Sequence, residues 1–205
     1  MSTTTFPREE VQAAIDRFAA ANVRAEEERD WAPLGDFYTD DAVYTYVGLT
    51  SGGAVEARGK EEIRKIVMGR DMEDYAGWTF PFQWVAIDGA RVITRWSNRA
   101  PERRKDGSPV ECPGMSVLEY AGDGKFRSQF DLYDRLSVKA VIEEATLLRE
   151  QDRDAKKKAR GAGARGSKPS GKGKKGSPAK AKPNKSKKAK PAKPKKAKAS
   201  RPKQK

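Results

Sequence analysis

Residues 78–133 read WTFPFQWVAIDGARVITRWSNRAPERRKDGSPVECPGMSVLEYAGDGKFRSQFDLY. Four runs rich in β-branched and aromatic residues, 78–87, 91–100, 111–120 and 125–133, alternate here with turn chemistry. Asp88-Gly89 and Asp123-Gly124 predict short hairpin turns, and Asp106-Gly107 a looser one. The stretch therefore predicts an antiparallel meander. Period 2 places Trp78, Phe80, Phe82 and Trp84 on one face of its first strand, a stripe suited to the core, a pocket wall or a subunit contact.

Towards the N-terminus, Val11, Ile15, Phe18 and Val23 recur near a 3.6 period and predict a long amphipathic helix from Pro7 to Arg29. Asp30 can cap a short second helix in which Trp31, Leu34 and Phe37 share a face, ended by residues 38–41. Residues 42–47 read as a strand, Gly48, Gly52 and Gly53 as a loop, residues 60–68 as a helix and residues 69–77 as another loop. Beyond the meander, Ser137 is a plausible N-cap for a last helix over residues 137–154 with Val138, Val141, Ile142, Ala145 and Leu148 as its stripe. Helices followed by a run of strands define an α+β domain over residues 1–150.

The charge is divided along the chain. Residues 1–154 hold all 29 acids and 21 Lys+Arg, a net −8, whereas residues 155–205 hold the other 22 bases and no acid. The last 51 residues also have Ala as their sole apolar side chain, too little to offset chain entropy, so they are expected to be a disordered basic tail. The chain has no His and one Cys, Cys112, which excludes imidazole catalysis, His-ligated zinc and an internal disulfide framework. No metal site and no cofactor motif is read. The N-terminus MSTTTFPREE lacks a basic segment followed by an apolar one, and no run approaches the roughly 18 apolar residues of a membrane span, so a cytoplasmic location is expected.

The element order, with the phrases WAPLGDFYTDDAVY (31–44), ARGKEEIRKIV (57–67), DGARVITRW (88–96) and GDGKFRSQFDLYD (122–134), resembles the SnoaL-like branch of the nuclear-transport-factor-2-like superfamily over residues 8–136. The resemblance implies a cone-shaped curved antiparallel sheet wrapped around N-terminal helices, a deep apolar pocket for a small hydrophobic molecule, and sheet-mediated homodimers. Because that superfamily holds polyketide cyclases, ketosteroid isomerases and epoxide hydrolases beside non-catalytic binding proteins, the fold alone does not assign an activity.

Asp131 matches the family's last-strand acid, a general acid or base whose pKa an apolar cavity would raise; the other reading pairs it with an arginine on a neighbouring strand. Asp134 reads as a cap before the last helix. Arg95 matches the arginine of the epoxide hydrolases' Arg-x-Asp pair, but Ser97 stands where the acid would be, which argues against epoxide hydrolysis and leaves Arg95 as an orienting partner. Tyr44, Tyr46 or Trp96 would then donate to a developing enolate. Trp31, Tyr46, Trp96, Ser97, Gln129 and Tyr133 are the expected pocket residues.

The tail, ending SPAKAKPNKSKKAKPAKPKKAKASRPKQK, resembles the tails of linker histones. Lysines such as Lys156, Lys157, Lys158, Lys174, Lys175, Lys187, Lys188, Lys195 and Lys196 would bind DNA or RNA through phosphate contacts, without aromatic residues to read a base. Two function classes stay open at this point: a small-ligand protein with isomerase- or cyclase-type acid–base chemistry held near nucleic acid, and a non-catalytic dimer that bridges nucleic acid in the nucleoid.

Overall fold

The computed structural model describes residues 5–47 and 53–163. Helix α1 (Arg8–Glu28) leads through the 3-10 helix Ala32–Phe37 to β1 (Tyr38–Val47) and β2 (Ala54–Arg58). Helix α2 (Lys60–Glu62) continues as a π-helical turn, Ile63–Val67, and a second 3-10 helix spans Arg70–Tyr75. The meander β3 (Phe82–Asp88), β4 (Arg91–Arg103), β5 (Pro109–Gly122) and β6 (Lys125–Tyr133) is followed by α3 (Arg135–Gly163). The six strands form one sheet in the order β2-β1-β6-β5-β4-β3, antiparallel except where β1 runs parallel to β6.

Local chemistry explains the turns. Asp123 and Gly124 both have positive φ, at 51° and 72°, the conformation of a two-residue hairpin loop whose twist matches its strands. Asp30 accepts from the Ala32 amide in a turn just ahead of the first 3-10 helix, whose N-cap is Trp31 rather than the expected Asp30. At the start of α3, Asp134 accepts from the amides of Leu136 and Ser137 and from the Ser137 hydroxyl. The cap is therefore Asp134, and Ser137 lies inside the helix.

Apolar burial sets the layers. Val11, Ala14, Ile15, Phe18, Ala21 and Ala25 of α1 are buried in the main core, where the Phe18 ring meets Phe37, Tyr38, Phe82 and Phe126. A second core joins Val138, Val141 and Ala145 of α3 to Trp78, Ala100, Val110 and Cys112. Arg104 clamps that helix with a bidentate bond to Glu144, at 2.6 and 2.7 Å, and Arg149 of α3 reaches Glu102 at 2.7 Å.

Four local expectations change. β1 begins at Tyr38, ahead of the strand expected at residues 42–47, and an additional strand, β2, follows the glycines, its Ala57 buried against β1. Residues 70–75 are a 3-10 helix rather than an irregular loop. The stripe Trp78, Phe80, Phe82, Trp84 is split by a register shift between Phe82 and Trp84: Phe82 pairs with the inward Trp96, and Trp84 with the outward Arg95. Trp78 is buried and Trp84 is 44% exposed on the other face. Finally, α3 continues to Gly163, beyond residues 137–154. Its exposed extension places Lys156, Lys157 and Lys158 on a helix; the tail lysines from Lys174 onward lie outside the described residues.

Candidate ligand pocket

Alternation along β6 turns Gln129, Asp131 and Tyr133 to the inner face. Register brings them neighbours from three strands. Asp131 lies opposite Tyr46 of β1 and Ser116 of β5, Gln129 opposite Tyr44, and Gly114 of β5 opposite both Tyr133 and Trp96 of β4. The inner face thus carries a continuous polar and aromatic row across β1, β6, β5 and β4.

Asp131 is 9% exposed, and its carboxylate accepts from three neutral donors. The Tyr44 hydroxyl donates to Oδ2 at 2.5 Å; the Ser116 hydroxyl and the Gln129 amide donate to Oδ1 at 2.6 and 2.8 Å. These donors are themselves held. Gln129 Nε2 also donates to the Tyr44 oxygen at 2.9 Å, Tyr38 donates to Gln129 Oε1 at 2.6 Å, and the Trp96 indole donates to the Ser116 oxygen at 2.8 Å. Such a network fixes the carboxylate's position without any cation in it.

Burial pushes the Asp131 carboxyl above the usual carboxylate range, and the bonds from Ser116, Tyr44 and Gln129 pull in the opposite direction without cancelling it. Tyr44 and Tyr38 are pushed well above the ordinary phenol range, first by burial and then by the Asp131 charge. They remain neutral donors. Tyr46 donates to Asp71, and Tyr133 to the Val47 carbonyl at 2.5 Å; both phenols are likewise raised by burial.

Gly114 explains how Trp96 reaches Ser116. A Cβ at residue 114 would stand 2.5 Å from the indole carbon Cη2, so the bare backbone is what lets the ring lie across β5.

This row lines a cavity of about 990 Å³, whose wall includes Phe18, Trp31, Tyr46, Phe80, Trp96 and Tyr133. The expected pocket residues Trp31, Tyr46, Trp96, Gln129 and Tyr133 line it, as do Tyr44 and Asp131, expected for the chemistry. Ser97 and Arg95 do not. Ser97 is buried elsewhere and accepts from Gln83 at 2.7 Å. Arg95 is exposed on the outer face between Trp84 and Met115, one alternation step away from Trp96, so it neither orients Asp131 nor pairs with it.

Three participants are absent from the sequence reading: Ser116, Tyr38 and Asp71. Ser116 had a signal. Counting evenly outward from the Asp123-Gly124 turn sets residue 116 opposite 131, and the irregularities near Tyr120 cancel before that pair is reached. Tyr38 falls at the expected end of the short helix, where no strand phase assigns it a face, and no spacing rule links Asp71 to Tyr46.

The family model for the SnoaL-like domain matches residues 15–129, more than half of the chain. The chain belongs to the SnoaL-like family. Solved structures of similar fold include a SnoaL-like protein from Jannaschia sp. CCS1, 15% identical with a TM-score of 0.50, covering 69% of this chain and 97% of its own. An NTF2-like protein of unknown function from Burkholderia pseudomallei is 15% identical with a TM-score of 0.48, covering 63% of this chain and 97% of that one. An LEH-like epoxide hydrolase from M. tuberculosis is 20% identical with a TM-score of 0.49, covering 68% and 93%. No curated protein matches.

At 15% identity the likeness to the Jannaschia protein shows the fold alone and leaves the chemistry of the domain to its own residues. Among the described residues, no group of three His, Cys, Asp or Glu is placed to hold a metal ion, and no helix is long and apolar enough to cross a membrane.

Proposed function

We propose that this SnoaL-like domain binds a small, largely apolar molecule over Asp131 and uses that carboxylate as an acid–base group in isomerase- or cyclase-type chemistry. One observation carries the reading: a buried carboxylate, fixed by Tyr44, Ser116 and Gln129, faces a ring-lined cavity large enough for a ligand. Tyr44 takes the orienting role assigned in the sequence to Arg95. Titration of the full-length protein with the neutral dye Nile red tests the pocket: saturable quenching of tryptophan fluorescence at one dye per chain is expected. Absence of saturable binding would remove the ligand-binding reading.

The second part of the proposal concerns assembly and the tail. Trp84 (44% exposed), Met115 (36%) and Leu132 (43%) lie in one cross-strand row with Arg95 between the first two, and Phe130 (38%) stands in the next row. Four large apolar side chains on one open sheet face support a homodimer formed through that face. The double variant Trp84→Glu, Leu132→Glu is expected to sediment as a monomer where the parent sediments as a dimer. An unchanged sedimentation coefficient would exclude this face. The polycationic tail then gives each dimer two non-specific nucleic-acid anchors in the cytoplasm or nucleoid.

A non-catalytic bridging dimer is the alternative, favoured by the purity of the tail, with 22 bases and no acid in residues 155–205.

A further inference from the structure

The Asp131 site is a built acceptor with no cation. Its three partners are neutral, and among the described residues no Lys or Arg donates a hydrogen bond to the carboxylate. The charged residues that line the cavity with it, Arg70, Glu73, Asp74, Lys139 and Arg149, are exposed at its rim, and Asp71 is half-buried there, bonded to Tyr46 and Arg70. Arg149 is taken by Glu102. Away from the rim, the carboxylate sits among aromatic rings, with the neutral amides of Gln129 and Asn98 also on the wall.

Hydrogen-bond capacity points the same way. Oδ1 accepts from both Ser116 and Gln129, whereas Oδ2 accepts from Tyr44 alone, so one lone pair of Oδ2 is left for a ligand among the described residues. The donors beside it are spent. Tyr44 donates to Asp131, Trp96 to Ser116, Tyr46 to Asp71 and Tyr133 to a backbone carbonyl. Beside Asp131 the protein offers an acceptor and a negative charge; the unpartnered donors of the cavity wall, Trp31 Nε1 and Asn98 Nδ2, do not bond to the carboxylate.

The rings add to the preference. The Tyr44 and Tyr46 rings stand edge-on to each other at 6.2 Å between centroids, and Trp96 and Tyr133 stand likewise at 6.4 Å. The negative faces of such rings attract a cation that has left water, and a buried carboxylate beside them attracts it further.

We infer that the ligand is an organic cation: a protonated amine on an apolar body, its N–H directed to Asp131 Oδ2 and its body against the Tyr44, Tyr46, Trp96 and Tyr133 rings. The inference rests on the proposed ligand pocket and narrows the class of molecule it takes. A cationic nitrogen also supplies the positive charge that the pocket's committed phenols do not.

The test compares two probes of nearly equal shape, benzylammonium and benzyl alcohol, by calorimetric titration into the full-length protein at neutral pH. The ammonium is expected to bind at least tenfold more tightly. That preference should vanish in Asp131→Asn and persist in Arg91→Gln, an exposed β4 position that does not line the cavity. Equal or tighter binding of the alcohol would overturn the cationic class while leaving the apolar pocket standing. Binding of neither probe would overturn both, and a preference that survives in Asp131→Asn would place the cation elsewhere, also overturning the assignment.

Discussion

Affinity of the full-length protein for random duplex DNA is expected to fall about a thousandfold or more between 50 and 200 mM salt, the behaviour of a ligand that neutralises roughly six to ten phosphates. Residues 164–205 carry 18 of the 43 Lys+Arg and no acid, so they have charge in excess of that requirement. A chain ending at Gly163 keeps both apolar cores and the whole of α3, including Lys156, Lys157 and Lys158, and loses those 18 bases. Its net charge becomes negative. It is expected to bind the same DNA at least a hundredfold more weakly at the lower salt, in a gel-shift or anisotropy titration. Equal binding by the two chains would dismiss the tail as the anchor and turn attention to the α3 extension.

Cutting at Gly163 rather than Glu150 matters because the boundary of the helix is set by local charge, and the apolar stripe misses it. After Leu148 no apolar period remains, so the stripe predicts an end near residue 150. Yet Asp152 and Asp154 precede Lys156 and Lys158 by four residues, the favourable order of an acid–base pair on a helix, and Ala155 and Ala159 have high helix propensity. The glycines at 161 and 163 coincide with its end. The signal was present in the chain, in charge spacing rather than hydropathy.

The fold was readable for similar local reasons. Each hairpin of the meander is specified by its own two or three turn residues, and α1 by its stripe, so these elements needed no distant partner to be recognised. β2 was hidden because Ala54, Val55, Glu56, Ala57 and Arg58 show weak alternation; what makes them a strand is the β1 edge they pair with. The aromatic stripe failed at one residue. The register shift at Gln83 reverses the facing of Trp84, and nothing in a run of five residues announces which one will bulge.

The site divides along the same line. Asp131 follows from the family pattern; Tyr44 and Trp96 are expected as hydrogen-bond donors to a ligand and Gln129 as a pocket residue, and it is the inward phase of their strands that brings all three to Asp131. Arg95 shows the limit of that transfer: it is one residue from Trp96 on an uninterrupted part of β4, and period 2 alone sends it to the outer face. A resemblance carries the acid across, while the strand's own alternation decides which basic partner can meet it.

Replacing Asp131 with Asn is the substitution expected to change activity most. If the carboxylate moves the proton, turnover should fall by about two to four orders of magnitude, the range a positioned general base contributes. Proton exchange next to the carbonyl, followed by NMR over a panel of ketones with and without an amino group, measures it. Unchanged exchange would remove Asp131 from the chemistry. The pH dependence has a definite sign, because burial holds the folded pKa above the ordinary value of 3.8. Activity that needs the ionised base should rise with pH through that raised pKa. Stability should move the other way: the folded domain binds this proton more tightly than the unfolded chain, so the contribution is complete below about 3.8 and is lost as pH rises through the folded value. Asp106, Asp134 and Glu144 are lowered by their donors and oppose this trend on the acid side, so the quantity to follow is the difference in unfolding free energy between parent and Asp131→Asn. That difference should shift towards the variant as pH increases. The carboxylate is thus least comfortable in the fold in its proton-accepting form, and a cation arriving from solution relieves the same cost that the proton relieves at low pH.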